Sequence, residues 1–179
     1  MTYAVLVIDI QTGLVTPSPT PFEIDLVIER INKVTELARE NKAPVIMVQH
    51  ECPNSILEHG SDNWQLPPEL TTERSDHIVR KTTPDSFLKT NLDELLKSRE
   101  VKNLIICGYA SEFCVDTTVR RAAALGYNVQ LVSDAHTTHD KAHTTANNIR
   151  AHENATLPNI TSFGSKISAI PTEDIRFKV

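Results

Sequence analysis

The stretch NLIICGYASEFCVDTTVRRAAALGYNVQLVSDAH, residues 103–136, decides the fold. Asn103–Cys107 is an apolar run too short for a helix and reads as a strand buried on both faces. Gly108-Tyr109-Ala110-Ser111 turns the chain. Glu112–Leu125 then reads as a helix, stopped by Gly126. Asn128–Val132 is a further apolar strand. Strand, helix and strand in such close succession predict a right-handed parallel crossover.

The same alternation extends in both directions. Ala4–Ile8 and Pro44–Gln49 read as strands, and Ile78–Val79 as a weaker one. Asp25–Asn41 carries Leu26, Ile28, Ile31, Val34, Leu37 and Ala38 at helical spacing. Leu88, Leu92, Leu95 and Leu96 suggest a helix over about 85–99, His139–His152 reads as a more polar helix, and Asn159–Thr161 as a sixth strand. An α/β fold follows, with a parallel sheet covered by helices on both faces. With no internal repeat and no linker-like stretch, the 179 residues read as one domain, 1–179.

Composition narrows the function classes. Hydrophobic residues make up 40% and charged residues 23%, as in globular proteins. The net charge of −5 is interspersed, and no basic stripe invites nucleic acid. No apolar run approaches the roughly 20 residues of a membrane span. The start, MTYAVLVIDI, does not read as a signal peptide. Cys52, Cys107 and Cys114 form no disulfide framework, so a reducing cytoplasm is the expected location. In that compartment the sequons at Asn154 and Asn159 carry no glycan.

In such sheets functional groups gather at the carboxyl ends of the strands. The first strand is followed by Asp9 and Gln11, the second by His50 and Glu51, the third by Arg80 and Lys81. The fourth leads through Ser111, a candidate N-cap, to Cys114 in the first turn of a helix. There the unpaired amides and the helix dipole favour a thiolate and can hold an oxyanion. Asp9 can take the thiol proton and Lys81 can stabilise the anions. Taken singly, Cys114 reads as a small buried hydrophobe, Asp9 as a cap and Lys81 as a surface charge. All three at strand ends say more than any one. The loop 50–77, with Trp64 and three prolines, and the segment Thr16–Phe22 are candidate pocket walls.

These residues carry a resemblance. VLVIDIQTG around Asp9, VRKTTPDSF around Lys81 and the long stretch around Cys114 resemble the isochorismatase-like cysteine hydrolases, which include nicotinamidases and N-carbamoylsarcosine amidohydrolase. The resemblance covers roughly residues 3–146. It implies a three-layer α/β/α sandwich with a six-stranded, mainly parallel sheet. It also implies a mechanism in which Cys114 attacks a carbonyl carbon, Asp9 moves the proton to the leaving nitrogen, and Lys81 holds the charge pattern. A cis peptide at Tyr109–Ala110 would aim the Ala110 amide, with that of Cys114, at the oxyanion. A homo-oligomer is implied as well. Gln11 resembles a position beside the base; its local alternative is a turn hydrogen bond.

Nicotinamidases of the family bind a divalent metal through an Asp-x-His pair and a further histidine. Gln49 replaces the aspartate here, and His50, Glu51 and His59 are loosely spaced, so the expectation is no metal and no cofactor. His50 then lines the pocket. Trp64, Phe113 and Tyr109 are candidate pocket walls that serve equally well as core. His136, His139, His143 and His152 read as a solvated helix or an interface. The function expected is hydrolysis of a carbon–nitrogen bond in a small amide. The alternatives are a metal-assisted nicotinamidase-type deamidase and a non-catalytic binding or scaffold protein that keeps the fold.

Overall fold

A computed structural model of the chain describes residues 2–177. The apolar runs become six strands: β1 (Tyr3–Ile8), β2 (Val45–His50), β3 (His77–Lys81), β4 (Asn103–Tyr109), β5 (Asn128–Thr137) and β6 (Ile167–Ile170). They form one sheet in the order β3-β2-β1-β4-β5-β6, and every pairing is parallel. β1 is central and wholly buried, which explains why its sequence is continuously apolar rather than alternating.

Side chains on β1 alternate between two cores. Ala4, Leu6 and Ile8 pack with Leu92 and Leu96 of α3 (Leu92–Lys97) and Val119 and Ala122 of α4 (Asp116–Ala124). Tyr3, Val5 and Val7 pack with Val27, Ile31 and Val34 of α2 (Ile24–Glu40). Each fully buried aliphatic side chain contributes about 1.5–3 kcal/mol of hydrophobic stabilisation. The result is the three-layer α/β/α sandwich. Among the described residues, no helix is long and apolar enough to cross a membrane.

Five elements differ from the expected ones. The helix over about 85–99 shrinks to α3. The segment before it turns instead, because the Asp85 carboxylate accepts the Phe87 amide (2.8 Å) and the Thr90 hydroxyl bonds the Ser86 carbonyl (2.7 Å). The helix over 112–125 divides into a π-helical turn, Ser111–Val115, followed by α4. β5 runs on through the polar residues Ser133 and Asp134 to Thr137, so the helix read from His139 begins only at α5 (Ala146–Thr156), capped by Thr145. The sixth strand is Ile167–Ile170, not Asn159–Thr161. Pro158 places Leu157–Asn159 in a 3₁₀ turn at the end of α5, while Ile167 finds a partner in Val129. A short α1 (Thr12–Val15) follows Gln11.

One contact fixes the centre of the sheet. Gly108 lies opposite Ile8 with φ +126°, and a Cβ there would sit 2.1 Å from the Ile8 carbonyl oxygen. Only glycine allows β4 to approach β1 so closely just before the chain turns toward Cys114.

Candidate active site

The carboxyl ends of β1, β3 and β4 bring three side chains together. Asp9 follows β1 in a left-handed backbone conformation (φ 51°) and is buried. Lys81 ends β3 and is also buried, at 1% exposure. Its ammonium lies 2.7 Å from Asp9 Oδ2 and 3.3 Å from Cys114 Sγ. It also donates to the Thr83 carbonyl (3.2 Å) and meets His50 Nδ1 at 3.3 Å. Cys114 sits in the π-helical turn and is half-buried. Asp9 Oδ1 is buried with no hydrogen-bond partner among the described residues. A buried carboxylate oxygen left unpaired is costly, and here it is an acceptor held free beside a thiol.

The electrostatics correct one expectation. The helix start does not hold Cys114 as a thiolate. Burial, reinforced by the Asp9 carboxylate, pushes its thiol up to about 12, and the Lys81 ammonium only partly offsets this. The resting group is therefore a thiol. His50 is pushed down by burial and by the Lys81 charge, so its imidazole is neutral at pH 7. Cys107 is wholly buried in β4, and burial raises its thiol further. Cys52 is exposed in the loop after β2.

Ser111 is not an N-cap. The turn follows Ala110, whose carbonyl accepts the Val115 amide (3.1 Å), and the Ser111 hydroxyl bonds His136 Nδ1 instead (2.8 Å). The Tyr109–Ala110 peptide is cis. Ala110 is buried, and its amide makes no hydrogen bond among the described residues. The Tyr109 hydroxyl meets His139 Nδ1 (3.0 Å), and His139 Nε2 donates to the Pro19 carbonyl (2.9 Å). This ties the proline-rich segment Thr16–Phe22 to the end of β4.

Gln11 and Trp64 brace the site from behind. The Gln11 amide nitrogen donates to the carbonyls of His50 (3.0 Å) and Trp64 (2.9 Å), and its oxygen accepts the His50 amide (2.8 Å). Trp64 is buried, with its ring edge-on to His59 at 4.7 Å. Phe113 is 54% exposed and lines a groove of about 780 Å³ with Glu112, Lys141, Ile149 and Glu153. Asp9, Lys81 and Cys114 are not among the walls of that groove.

Two of the positions that a nicotinamidase-type metal would need are otherwise engaged. The Gln49 amide donates to the Trp64 carbonyl (2.9 Å), and both Glu51 oxygens are held by Arg80 (2.7 and 3.0 Å). Among the described residues no three His, Cys, Asp or Glu side chains are grouped to hold an ion. These residues do not fit the metal.

The histidines do not share one helix. Of the four read together, His136 lies in β5 and is fully buried, His139 bridges Tyr109 and Pro19, and His143 and His152 are exposed. His136 Nε2 meets Asn154 Oδ1 (3.0 Å), which completes a Ser111–His136–Asn154 chain whose first two members are fully buried. Sequence reading missed this chain because it ended β5 at Val132. The polar run Ser133-Asp134 hid the strand's continuation.

Known proteins share this chain's fold and much of its sequence. The isochorismatase domain model matches residues 3–162. Streptothricin hydrolase of Streptomyces noursei is 36% identical over 138 residues, which is 76% of this chain and 50% of that protein. Ureidoacrylate amidohydrolase of Agrobacterium fabrum is 29% identical over 97 residues, 54% of this chain and 42% of that protein. The chain spans about half the length of the curated relatives it matches. A crystallised isochorismatase family protein superposes with a TM-score of 0.86 at 36% identity, covering 94% of this chain and 97% of that one. N-carbamoylsarcosine amidase of Thermoplasma acidophilum shares the fold, with a TM-score of 0.81 at 19% identity over 99% of this chain and all of that one (100%). This chain belongs to the isochorismatase family.

Proposed function

We propose that the protein hydrolyses an amide-type carbon–nitrogen bond of a small molecule through a thioester on Cys114. The observation that carries this reading is the buried Asp9–Lys81 pair beside Cys114, with one Asp9 oxygen left free to accept a proton. A substrate carbonyl enters over the sulfur. The Cys114 sulfur–carbon bond forms as the thiol proton passes to Asp9 Oδ1. The carbonyl oxygen becomes an oxyanion, held by the amides of Ala110 and Cys114. Collapse breaks the carbon–nitrogen bond, and Asp9 returns the proton to the departing nitrogen. A water, deprotonated by the same carboxylate, then cleaves the thioester, releasing the acid and the thiol. Lys81 is a fixed cation throughout, stabilising Asp9 before proton transfer and the sulfur during it.

The raised thiol suits this scheme. A resting thiol becomes the nucleophile as its proton moves to Asp9. His50 meets this centre through Lys81 (3.3 Å) and is braced by Gln11, which also holds the Trp64 carbonyl. The relatives named as streptothricin hydrolase and ureidoacrylate amidohydrolase support a small amide as substrate class. The chain acts as one hydrolase domain, as a homo-oligomer in the cytoplasm, where its three free cysteines stay reduced.

The test is ammonia or amine release from a panel of streptothricin, ureidoacrylate, N-carbamoylsarcosine and nicotinamide. At least one is turned over by the wild type and none by Cys114→Ala. A metal-assisted deamidase would instead lose activity to a chelator and regain it with zinc. A non-catalytic scaffold would turn over none of the panel, and Cys114 would not be acylated by reactive esters.

A further inference from the structure

We propose that His136 is a positioning residue for the oxyanion-binding amides, acting through a buried hydrogen-bond relay that ends on Ser111. The inference rests on Cys114 being the acylated nucleophile. The relay has one direction. The Asn154 amide nitrogen donates to the Ser133 carbonyl (2.8 Å), so its oxygen faces His136 as an acceptor. His136 Nε2 therefore carries the proton and donates to Asn154 (3.0 Å). Nδ1 is left as an acceptor, and the Ser111 hydroxyl donates to it at 2.8 Å. Each member has a defined role, and none is left unsatisfied.

The placement of the relay is what makes it functional. Ser111 and His136 are both fully buried. An imidazole there is expensive, since burial alone disfavours its charged form strongly, and an aliphatic side chain would fill the same space at no desolvation cost. The chain's output is Ser111, which directly follows Ala110 and opens the turn that carries Cys114. β5 is shaped for it. The β4–β5 register shifts between Ile106 and Gly108, and β5 rejoins with His136 opposite Gly108. Without that shift His136 would not lie level with the turn. A π-helical turn is wider than an α-helical one and is frequent at functional sites. The hydrogen bond from Ser111 to His136 fixes the turn against β5, and the bond from His136 to Asn154 fixes it against α5. The amides of Ala110 and Cys114 are thereby held where the oxyanion forms.

Two probes separate positioning from bulk structure. p-Nitrophenyl acetate acylates the thiol through a tetrahedral oxyanion: the sulfur–carbon bond forms, p-nitrophenolate leaves with the bonding pair, and the thiol proton passes to Asp9. Iodoacetamide alkylates the same sulfur at a saturated carbon and expels iodide with no oxyanion. Both are measured in a Cys52→Ser background, so that the exposed thiol does not report. Ser111→Ala is expected to slow acylation by about tenfold or more while leaving alkylation within about twofold, and Ser111→Thr to restore acylation. Equal losses with both reagents, or no loss with either, overturn the proposal. A further measurement needs no variant: long-range ¹H–¹⁵N spectra of the wild type are expected to show His136 as a neutral Nε2–H tautomer at pH 7. An Nδ1–H tautomer or an imidazolium there overturns it too. If Cys114→Ala is acylated as fast as the wild type, the nucleophile assignment itself fails, whatever Ser111→Ala does.

Discussion

Lys81 holds one oxygen of the Asp9 carboxylate at 2.7 Å and leaves the other, Oδ1, buried and unpartnered beside the Cys114 thiol. In the proposed mechanism the asymmetry separates two roles for Asp9, counter-ion and base. Asp9→Asn keeps the shape and removes the base, so amide hydrolysis is expected to fall by about 10²–10⁴-fold. The same variant removes a negative charge that raises the thiol, so the midpoint of Cys114 alkylation against pH moves down. Lys81→Ala moves that midpoint up. Unchanged hydrolysis in Asp9→Asn contradicts the base assignment.

The buried pair also sets stability. Lys81→Met leaves the Asp9 carboxylate buried without its cation, and a loss of about 3–5 kcal/mol is expected in urea denaturation. The double variant Asp9→Asn/Lys81→Met recovers most of it, because no uncompensated charge remains. Additive losses in the double variant would mean that the two groups do not interact.

Two other buried groups act on stability with opposite sign. Burial lowers His136 to about 4, from 6.5. The unfolded chain then binds the extra proton, so this contribution is full above pH 6.5 and is lost as pH falls toward 4. Burial, with Asp116 nearby, raises Glu153 to about 7, from 4.5. Here the folded state binds the extra proton, so the contribution is full below pH 4.5 and is lost as pH rises through 7. The two partly cancel between these limits and are read from variants. Glu153→Gln gains melting temperature over the wild type as pH rises through 7, and equal pH dependence in both proteins contradicts the assignment.

Gly108→Ala tests the closeness of β4 and β1. The added Cβ meets the Ile8 carbonyl at 2.1 Å in a backbone conformation that L side chains rarely adopt. A destabilisation of more than about 3 kcal/mol is expected, seen as loss of soluble protein or a large fall in the urea midpoint.

Much of this was legible in the sequence, and the reasons are physical. β1, β2 and β4 are buried on both faces, so their apolar runs stand out from the polar segments around them. Asp9 could be placed because it immediately follows β1; Lys81 ends β3, whose apolar run is short and whose burial is mixed, so it stood out through the resemblance of VRKTTPDSF. Weaker readings came where local chemistry overrides periodicity. The leucines before α3 look helical, but Asp85 and Thr90 bond the backbone and hold turns. β6 is only four residues long and half-exposed, so Asn159–Thr161 was an equally plausible strand. The state of the Cys114 thiol was not readable either. The helix start near it was visible, but the depth of burial and the nearness of Asp9 depend on the packing of three strands.

The central claim is that Cys114 carries the acyl group during turnover. It is tested most directly by acid-quenching the wild type during hydrolysis of whichever panel amide it accepts and mapping the peptides by mass. The account predicts an adduct of the substrate's acyl mass on the Cys114 peptide, absent from Cys114→Ala, which is also inactive. Turnover by Cys114→Ala, or steady turnover by a wild type that never shows the adduct under conditions where thioester hydrolysis limits the rate, would contradict it.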